Sequence, residues 1–502
     1  MIEKSKKQAT ISRTWITAVL LVGVFVAMLM QTALGTAQPA LMKAFDVDAA
    51  TVQWLTTIFL MANGIMVPVS AFLITRVPTR ALFIGAMAVF TLGTGLAYVA
   101  PTDKFWVLLV ARVIQALADG VLMPLMQVIL LTIFDAASRG KAMGISGLTI
   151  GMAPAIGPVT SGWLLDKTHH VFGWTIQADW RNVFGVILPL LIVVLIGAFI
   201  VMRDVLPNRP IRLDVRSLIE STIGFGALLY GFAMVASKGW GDWLNVIAPL
   251  GIGVVVIAEF MWHQNRMAEP FLSMTVFKNR QFTLTTILVS VVLLSMIGVQ
   301  MILPIFMQNL RGLSPLSSGL TLLPGALLMG VMSQVAGVFY DKYGVKRLTQ
   351  VGLLFLTVGT MSFIWLTVDT PMVDITALYT LRMFGIALVL TPLISSAMAA
   401  LSPETAAQGT AANSTMRQIA TGLGTAILAS VLQSVTNSQT PPANLQERNP
   451  LHYTEMLTQA TLSGFHSAFL LAAGFAIVAL ILSCFLRDEQ RTALRQPISS
   501  NE

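Results

Sequence analysis

Apolar side chains fill this chain in long blocks, and polar ones gather in the short gaps between them. About 20 residues of helix cross the hydrocarbon of a bilayer. Fourteen runs meet that length: 14–36, 52–74, 80–100, 105–127, 141–165, 181–203, 217–236, 243–263, 283–309, 315–337, 346–367, 375–397, 410–436 and 464–486. A lipid-exposed backbone must satisfy its own N–H and C=O groups, so each run reads as a helix. The expected fold class is an all-α integral membrane protein with fourteen transmembrane helices.

The fifth run has a pattern of its own. Gly144, Gly147, Gly151, Ala155, Pro158 and Gly162 step by three or four and share one helical face. Small residues let two helix backbones approach closely where no water drives them together. Pro154 and Pro158 add bends, because each lacks an N–H and crowds the carbonyl one turn back. Ordinary bundle packing and a specialised contact, bent at the Gly157-Pro158 step, both fit this face.

Composition agrees with lipid as the solvent. Of the 502 residues, 55% are hydrophobic and 11% charged, and the mean hydropathy is +0.77. Soluble domains hold roughly 25% charged residues, and no polar stretch here is long enough for a large soluble domain. The net charge of +8 is distributed as topology signals are, in short segments between runs, and not as a nucleic-acid surface. With a cytoplasmic N-terminus, 21 Lys and Arg fall on the inner side and 7 on the outer. That asymmetry puts both termini in the cytoplasm and the protein in the cell membrane. Lys4, Lys6, Lys7 and Arg13 precede a first run longer than a signal-peptide core, so the run is expected to stay as a span. The single cysteine, Cys484, forms no internal disulfide and reads as a small packing residue.

The chain repeats itself. The loop after the second run reads Thr75-Arg76-Val77-Pro78-Thr79-Arg80, and the loop after the tenth reads Asp341-Lys342-Tyr343-Gly344-Val345-Lys346-Arg347. Roughly 40 residues beyond each comes a buried arginine followed by a proline: Arg112 with Pro124, and Arg382 with Pro392. The expected organisation is a six-helix bundle over 1–203, two inserted helices with their linkers over 204–282, and a second six-helix bundle over 283–502. Parallel six-helix repeats with a binding site at their interface are a transporter design.

These residues resemble the major facilitator superfamily, specifically its fourteen-helix drug:proton antiporter branch, over nearly the whole chain. Gly337, Asp341, Lys342, Gly344 and Arg347 are similar to the superfamily's cytoplasmic loop motif. In the first-half copy Thr75 stands at the acid's place and Pro78 at the second glycine's. Such a loop reads either as a latch, an acid near a helix end pairing with basic neighbours, or as a topology marker. Arg112 through Gly120, then Pro124, resembles the buried-arginine motif, with Ala116 where glycine is usual. Gly151, Pro154, Gly157, Pro158 and Gly162 resemble the antiporter helix, with Ser161 replacing one glycine. Trp180-Arg181 and Phe277-Lys278-Asn279-Arg280-Gln281-Phe282 also look like this branch. The branch usually carries an aspartate in its first helix; Met30 occupies that position here.

A proton-driven transporter needs a titratable group within the membrane, and intramembrane ionisable residues are functional hypotheses by default. Asp119 is the candidate. It lies seven residues from Arg112, about 10 Å along one helix face, with Gln115 between them. The three are expected to form a polar stripe on a central cavity, a static buried pair being the alternative. Gln31, Gln38 and Gln300, with Met30, Met28, Met296 and Met301, are candidates for a mostly apolar, deformable substrate surface. Arg417, near Asn413 and Gln418, is either a further polar group there or a side chain snorkelling to the helix end. Glu220 and Glu259 fall near cytoplasmic helix ends.

No phosphate-cradling loop and no metal-ligand spacing occur within the runs, so no enzyme, cofactor or resident metal is expected. His169-His170 beside Asp166 reads as an exposed turn before it reads as a metal site. The resemblance implies a proton-coupled exporter of lipophilic or amphipathic compounds, working by alternating access and as a monomer among membrane lipids. A lipid or metabolite exporter without strong proton coupling is the alternative, and a non-transporting receptor on the same scaffold a more distant one.

Overall fold

The computed structural model describes residues 2–47, 49–134, 136–171, 174–208, 214–267, 274–402 and 405–487. Helices α1 (Ile2–Phe45), α2 (Ala49–Arg76), α3 (Thr79–Tyr98), α4 (Phe105–Ile133) and α5 (Ala136–Asp166) follow one another through short turns. A small antiparallel hairpin, β1 (His169–Val171) and β2 (Trp174–Ile176), leads to α6 (Arg181–Gly185) and α7 (Ile187–Val201). Then come α8 (Val215–Lys238) and α9 (Ala248–Gln264). The remainder is α10 (Arg280–Ile305), α11 (Pro315–Tyr343), α12 (Val345–Ser362), α13 (Met372–Ala399), α14 (Ala406–Gln439), α15 (Ala443–Arg448) and α16 (Pro450–Ser483).

Twelve helices among the described residues are long and apolar enough to cross a membrane, which makes this a multi-pass membrane protein. The expected count was fourteen. The second and fifth runs do form helices, α2 of 28 and α5 of 31 residues, but neither is among the twelve. Of α2 only Trp54–Met66 registers as an apolar stretch, since side chains within both helices lie outside the described residues. The last run also differs: α16 begins at Pro450, well ahead of the expected 464. Asn449 accepts the His452 N–H at 3.2 Å, and a proline in the first turn is preorganised for a helix start. Residues 437–463 are therefore largely helical, in the end of α14, in α15 and in the start of α16.

Two hydrophobic cores form. One runs from Ile16 on α1 to Met202, after α7. The other runs from Leu288 on α10 to Leu486, beyond α16. The same capping device recurs in both. Arg80, second residue of α3, donates to the Phe199 carbonyl at the end of α7 at 2.8 Å. Lys346, second residue of α12, donates to the Cys484 carbonyl at the end of α16 at 2.8 Å. A cation on the unpaired carbonyls of a helix C-terminus also meets the negative end of its dipole.

The inserted pair sits at the edge. Only 17% of the α9 span is buried, against 61% for α10. Where α8 starts and α9 ends, the pair is tied by polar groups: Arg216 bridges Glu220 and Glu259, at 2.5 and 2.8 Å, and His263 pairs with Asp214 at 2.8 Å. Partial burial pushes the Asp214 carboxyl up, but bonds from Ser217 and His263 outweigh it and hold the group below its ordinary value.

Gly344 joins α11 to α12 with φ 81° and ψ 167°, a region essentially restricted to glycine. Gly344→Ala should destabilise the protein by about 1–3 kcal/mol, read as a lowered thermal midpoint in detergent, with no such loss for Gly95→Ala, where an added Cβ meets nothing within 4 Å.

Candidate functional site

The two bundles meet along two seams. The more extensive joins α5 to α11. The second joins α2 to α14, with α8 packed against both and α4 also touching α14. Helix α5 packs closely on α1 as well. A Cβ on Gly157 would stand 2.9 Å from the Leu29 carbonyl oxygen and 3.0 Å from the Ala33 nitrogen, both on α1. Thr32 donates to the Ala153 carbonyl at 3.4 Å, and Thr36 and Ser161 share a hydrogen bond. The glycine that brings α11 onto α5 is Gly319, whose Cβ would lie 3.0 Å from the Val159 Cα. So α5 carries the contact with the second half, through the tenth run, α11; Gly157 on it lies against α1, and the glycine that closes the seam, Gly319, belongs to α11. Pro158 is half-buried and Gly162 buried on the same helix; the surroundings of Gly151 and Pro154 lie outside the described residues.

On the second seam a leucine takes the glycine's place. Leu229 of α8 stands 2.7 Å from the Cβ that Gly64 of α2 would carry, and 2.7 Å from the one that Gly422 of α14 would carry. One side chain of the inserted pair thus fills the space between glycines of opposite halves.

The expected polar stripe on α4 divides in two. Arg112 and Gln115 are joined, with Nη1 donating to Oε1 at 2.9 Å. Gln115 donates onward to Thr94 of α3 at 2.9 Å. The Arg112 Nε donates to the Leu55 carbonyl of α2 at 3.3 Å, and the guanidinium lies 4.2 Å above the Phe59 ring. Asp119, 5% exposed, instead accepts from Asn63 of α2 at 2.6 Å. Gln115 is thus no bridge to Asp119; its amide is turned to α3, where a Cβ on Gly93 would come 2.9 Å from its Cγ. One oxygen of the Asp119 carboxyl, Oδ1, is buried with no hydrogen-bond partner, as is Asn63 Oδ1. The sequence reading missed Asn63, although a lone amide in the middle of an apolar run is an intramembrane polar group like the others.

The second half repeats the arginine. Arg382 donates through Nε to Thr360 of α12 at 3.1 Å, and through Nη2 to the Ser295 and Met296 carbonyls of α10 at 2.8 and 3.1 Å. Both arginines bind helices to one another inside their own half.

The remaining candidates scatter. Gln38 reaches Thr56 of α2 at 3.5 Å, Gln31 is half-buried on α1, and the Gln300 carbonyl oxygen on α10 is buried without a partner. Met30 has no exposed surface and packs in the core of the first half, away from the cavity wall expected for it. In the loop motif Lys342 lies 5.3 Å from the Tyr343 ring centroid, Arg347 is exposed and Gly337 half-buried, and the Asp341 side chain lies outside the described residues. His169 stacks on Trp163 at 3.8 Å, His170 bonds Thr175 at 3.0 Å, and among the described residues no cluster is fit to hold a metal.

Two helical bundles, each with its own core, meeting around buried polar groups in a membrane define a transporter. Residues 20–425 match the Major Facilitator Superfamily, and the chain belongs to that family: a transporter, not an enzyme. It is 41% identical to the uncharacterized MFS-type transporter YcnB of Bacillus subtilis, over 98% of this chain and 99% of that one. It is 37% identical to the lincomycin resistance protein LmrB of the same species, over 93% and 94%. With the multidrug resistance protein B homolog of Mycobacterium tuberculosis it shares 26% identity, over 93% and 89%. A crystal structure of a bacterial homolog of the human lysosomal transporter Spinster has the same fold, with a TM-score of 0.62 at 15% identity over 94% of this chain and 96% of that one.

The close contacts of α5, with α1 at Gly157 and with α11 at Gly319, leave no room for larger side chains. Gly157→Leu and Gly319→Leu should each cost about 1–3 kcal/mol by overpacking and lower the thermal midpoint, whereas Gly35→Ala on α1, which meets nothing within 4 Å, should leave it unchanged.

Proposed function

We propose that this transporter exports lipophilic or amphipathic compounds in exchange for protons, by alternating access around the two seams. The observation that carries the reading is Asp119: a buried carboxyl on α4, held by one amide of α2 and with one oxygen unpartnered. A carboxyl kept inside a membrane with no ion-pair contact among the described residues suits a group that gains and loses a proton during the cycle. The resistance proteins among its relatives support export of toxic compounds, and its closely packed α5 resembles the antiporter helix. We further place α2 and α5 among the spans, giving fourteen, and both termini in the cytoplasm of a cell-membrane protein that acts as a monomer. A second reading, export of lipids or metabolites with little proton coupling, is favoured by Met30, an apolar core residue where the drug-exporting branch carries its first-helix acid.

Two measurements test these assignments. In proteoliposomes with an imposed proton gradient, Asp119→Asn should lose at least about tenfold of gradient-driven export while keeping substrate exchange without a gradient; an undiminished gradient response would give the coupling role to another group. Orientation is read from the sole cysteine: Cys484 is exposed at the end of α16. A membrane-impermeant maleimide should label it in inverted vesicles and not in intact cells, the reverse result inverting the topology.

A further inference from the structure

Three arginines lie in the interiors of long helices, Arg112, Arg382 and Arg417, and the first two reach acceptors on neighbouring helices, although Arg382 Nη1 is buried without one. Arg112 and Arg382 bind carbonyl oxygens and side-chain acceptors of neighbouring helices. Arg417 on α14 has none of this. Among the described residues it makes no hydrogen bond and no ion pair, and its Nη1 is buried with no partner. The amide one turn earlier does not serve it either: Asn413 Nδ2 donates to Thr286 of α10 at 3.1 Å, and Arg417 makes no bond to its carbonyl oxygen. A guanidinium has five N–H donors and does not lose its charge in proteins. Placing one in a membrane protein's interior without an acceptor is strongly unfavourable. Of the three, only Arg417 makes no hydrogen bond at all among the described residues, and that leaves a place for an acceptor from outside the chain.

The position of α14 says which kind of acceptor. This helix forms the second seam, packing on α2, α4 and α8, and transporters of repeated bundles bind their substrates where the repeats meet. Arg417 lies five residues, about 7.5 Å along the axis, from Gly422, the glycine that receives Leu229. The side chain is only partly enclosed, so a ligand can reach it. Planar, forked N–H donors match carboxylate and phosphate oxygens better than any neutral acceptor.

We infer that Arg417 binds an anionic group of the transported compound, so that amphipathic acids carrying a carboxylate or phosphate are substrates. The inference rests on the proposed export function and names the substrate class for it. The deciding experiment compares matched dyes in cells expressing the full chain: fluorescein and carboxyfluorescein as anions, rhodamine 123 and ethidium as cations. The wild-type protein should export the anions, and Arg417→Gln should lower the ratio of anion to cation export at least tenfold. Arg417→Lys, which keeps the charge but not the fork, should fall between them. Purified Arg417→Gln should bind fluorescein at least tenfold more weakly, and a thermal midpoint equal to the wild type would separate lost binding from lost folding. If Arg417→Gln does not fold, a partial drop in ratio and in fluorescein binding is required of Arg417→Lys, and wild-type values in that variant overturn the inference. An unchanged ratio overturns the inference. So does wild-type export of the cations alone, which would leave the proposed export function standing. Export of none of the four by the wild type counts against that function itself, while fluorescein binding to Arg417 is judged separately by the purified protein. If the Arg417→Gln defect is the same for both dye classes and Asp119→Asn reverses it, Arg417 pairs with Asp119 inside the protein and the inference fails.

Discussion

Inside a bilayer a polar group must find its partner in the protein, because no water is there to serve. That constraint makes every long element here a helix, and it also decides what the buried charges do. Arg112 answers it by gathering Leu55, Gln115 and, through the latter, Thr94, so that α2, α3 and α4 are held together. Arg382 answers it with Thr360, Ser295 and Met296, joining α13 to α12 and α10. The repeat is chemical before it is topological: each half is closed by one cation distributed over the carbonyls and hydroxyls of its neighbours. Among the described residues, Asp119 keeps one oxygen without a partner and Arg417 makes no hydrogen bond, and they lie on α4 and α14, which touch across the halves.

Much of this was legible in the chain. Twelve of the fourteen expected runs form helices long and apolar enough to cross a membrane, and the weight of α5 was signalled by its stripe of small residues. What failed were statements about which face meets which neighbour. Helical spacing placed Arg112, Gln115 and Asp119 in one stripe, and they do lie along one side of α4. But a long side chain chooses its acceptor among the helices around it, and Gln115 found Thr94 on one side while Asp119 found Asn63 on the other. The small-residue helix α5 does meet α11, the tenth run, across the halves, but its spacing could not say that Gly157 lies against α1 and that the plainer Gly319 closes the seam. Leu229 carried no signal at all, since a leucine in an apolar run looks like any other. The early start of α16 was readable, because Asn449-Pro450 is a cap followed by a proline in the first turn.

The two seams differ in kind, and the difference bears on how the halves move. Where α11 meets α5, the Gly319 backbone lies against that of Val159, and little side-chain freedom remains to absorb a displacement. Close backbone contact of this sort separates only by losing many dispersion contacts together. Where α2 faces α14, the contact between Gly64 and Gly422 is carried by the two methyl groups of Leu229. A leucine can change rotamer at modest cost, so this seam can adjust while the helices beside it stay intact. The inserted pair is therefore more than an addition at the periphery. Largely exposed along α9 and fastened where α8 starts and α9 ends by Arg216, Glu220 and Glu259, it holds one adaptable side chain where the halves would otherwise meet glycine to glycine. A rocking motion of the two bundles would turn about the tight seam and be accommodated at the other, within reach of the helices that carry Asn63, Asp119 and Arg417.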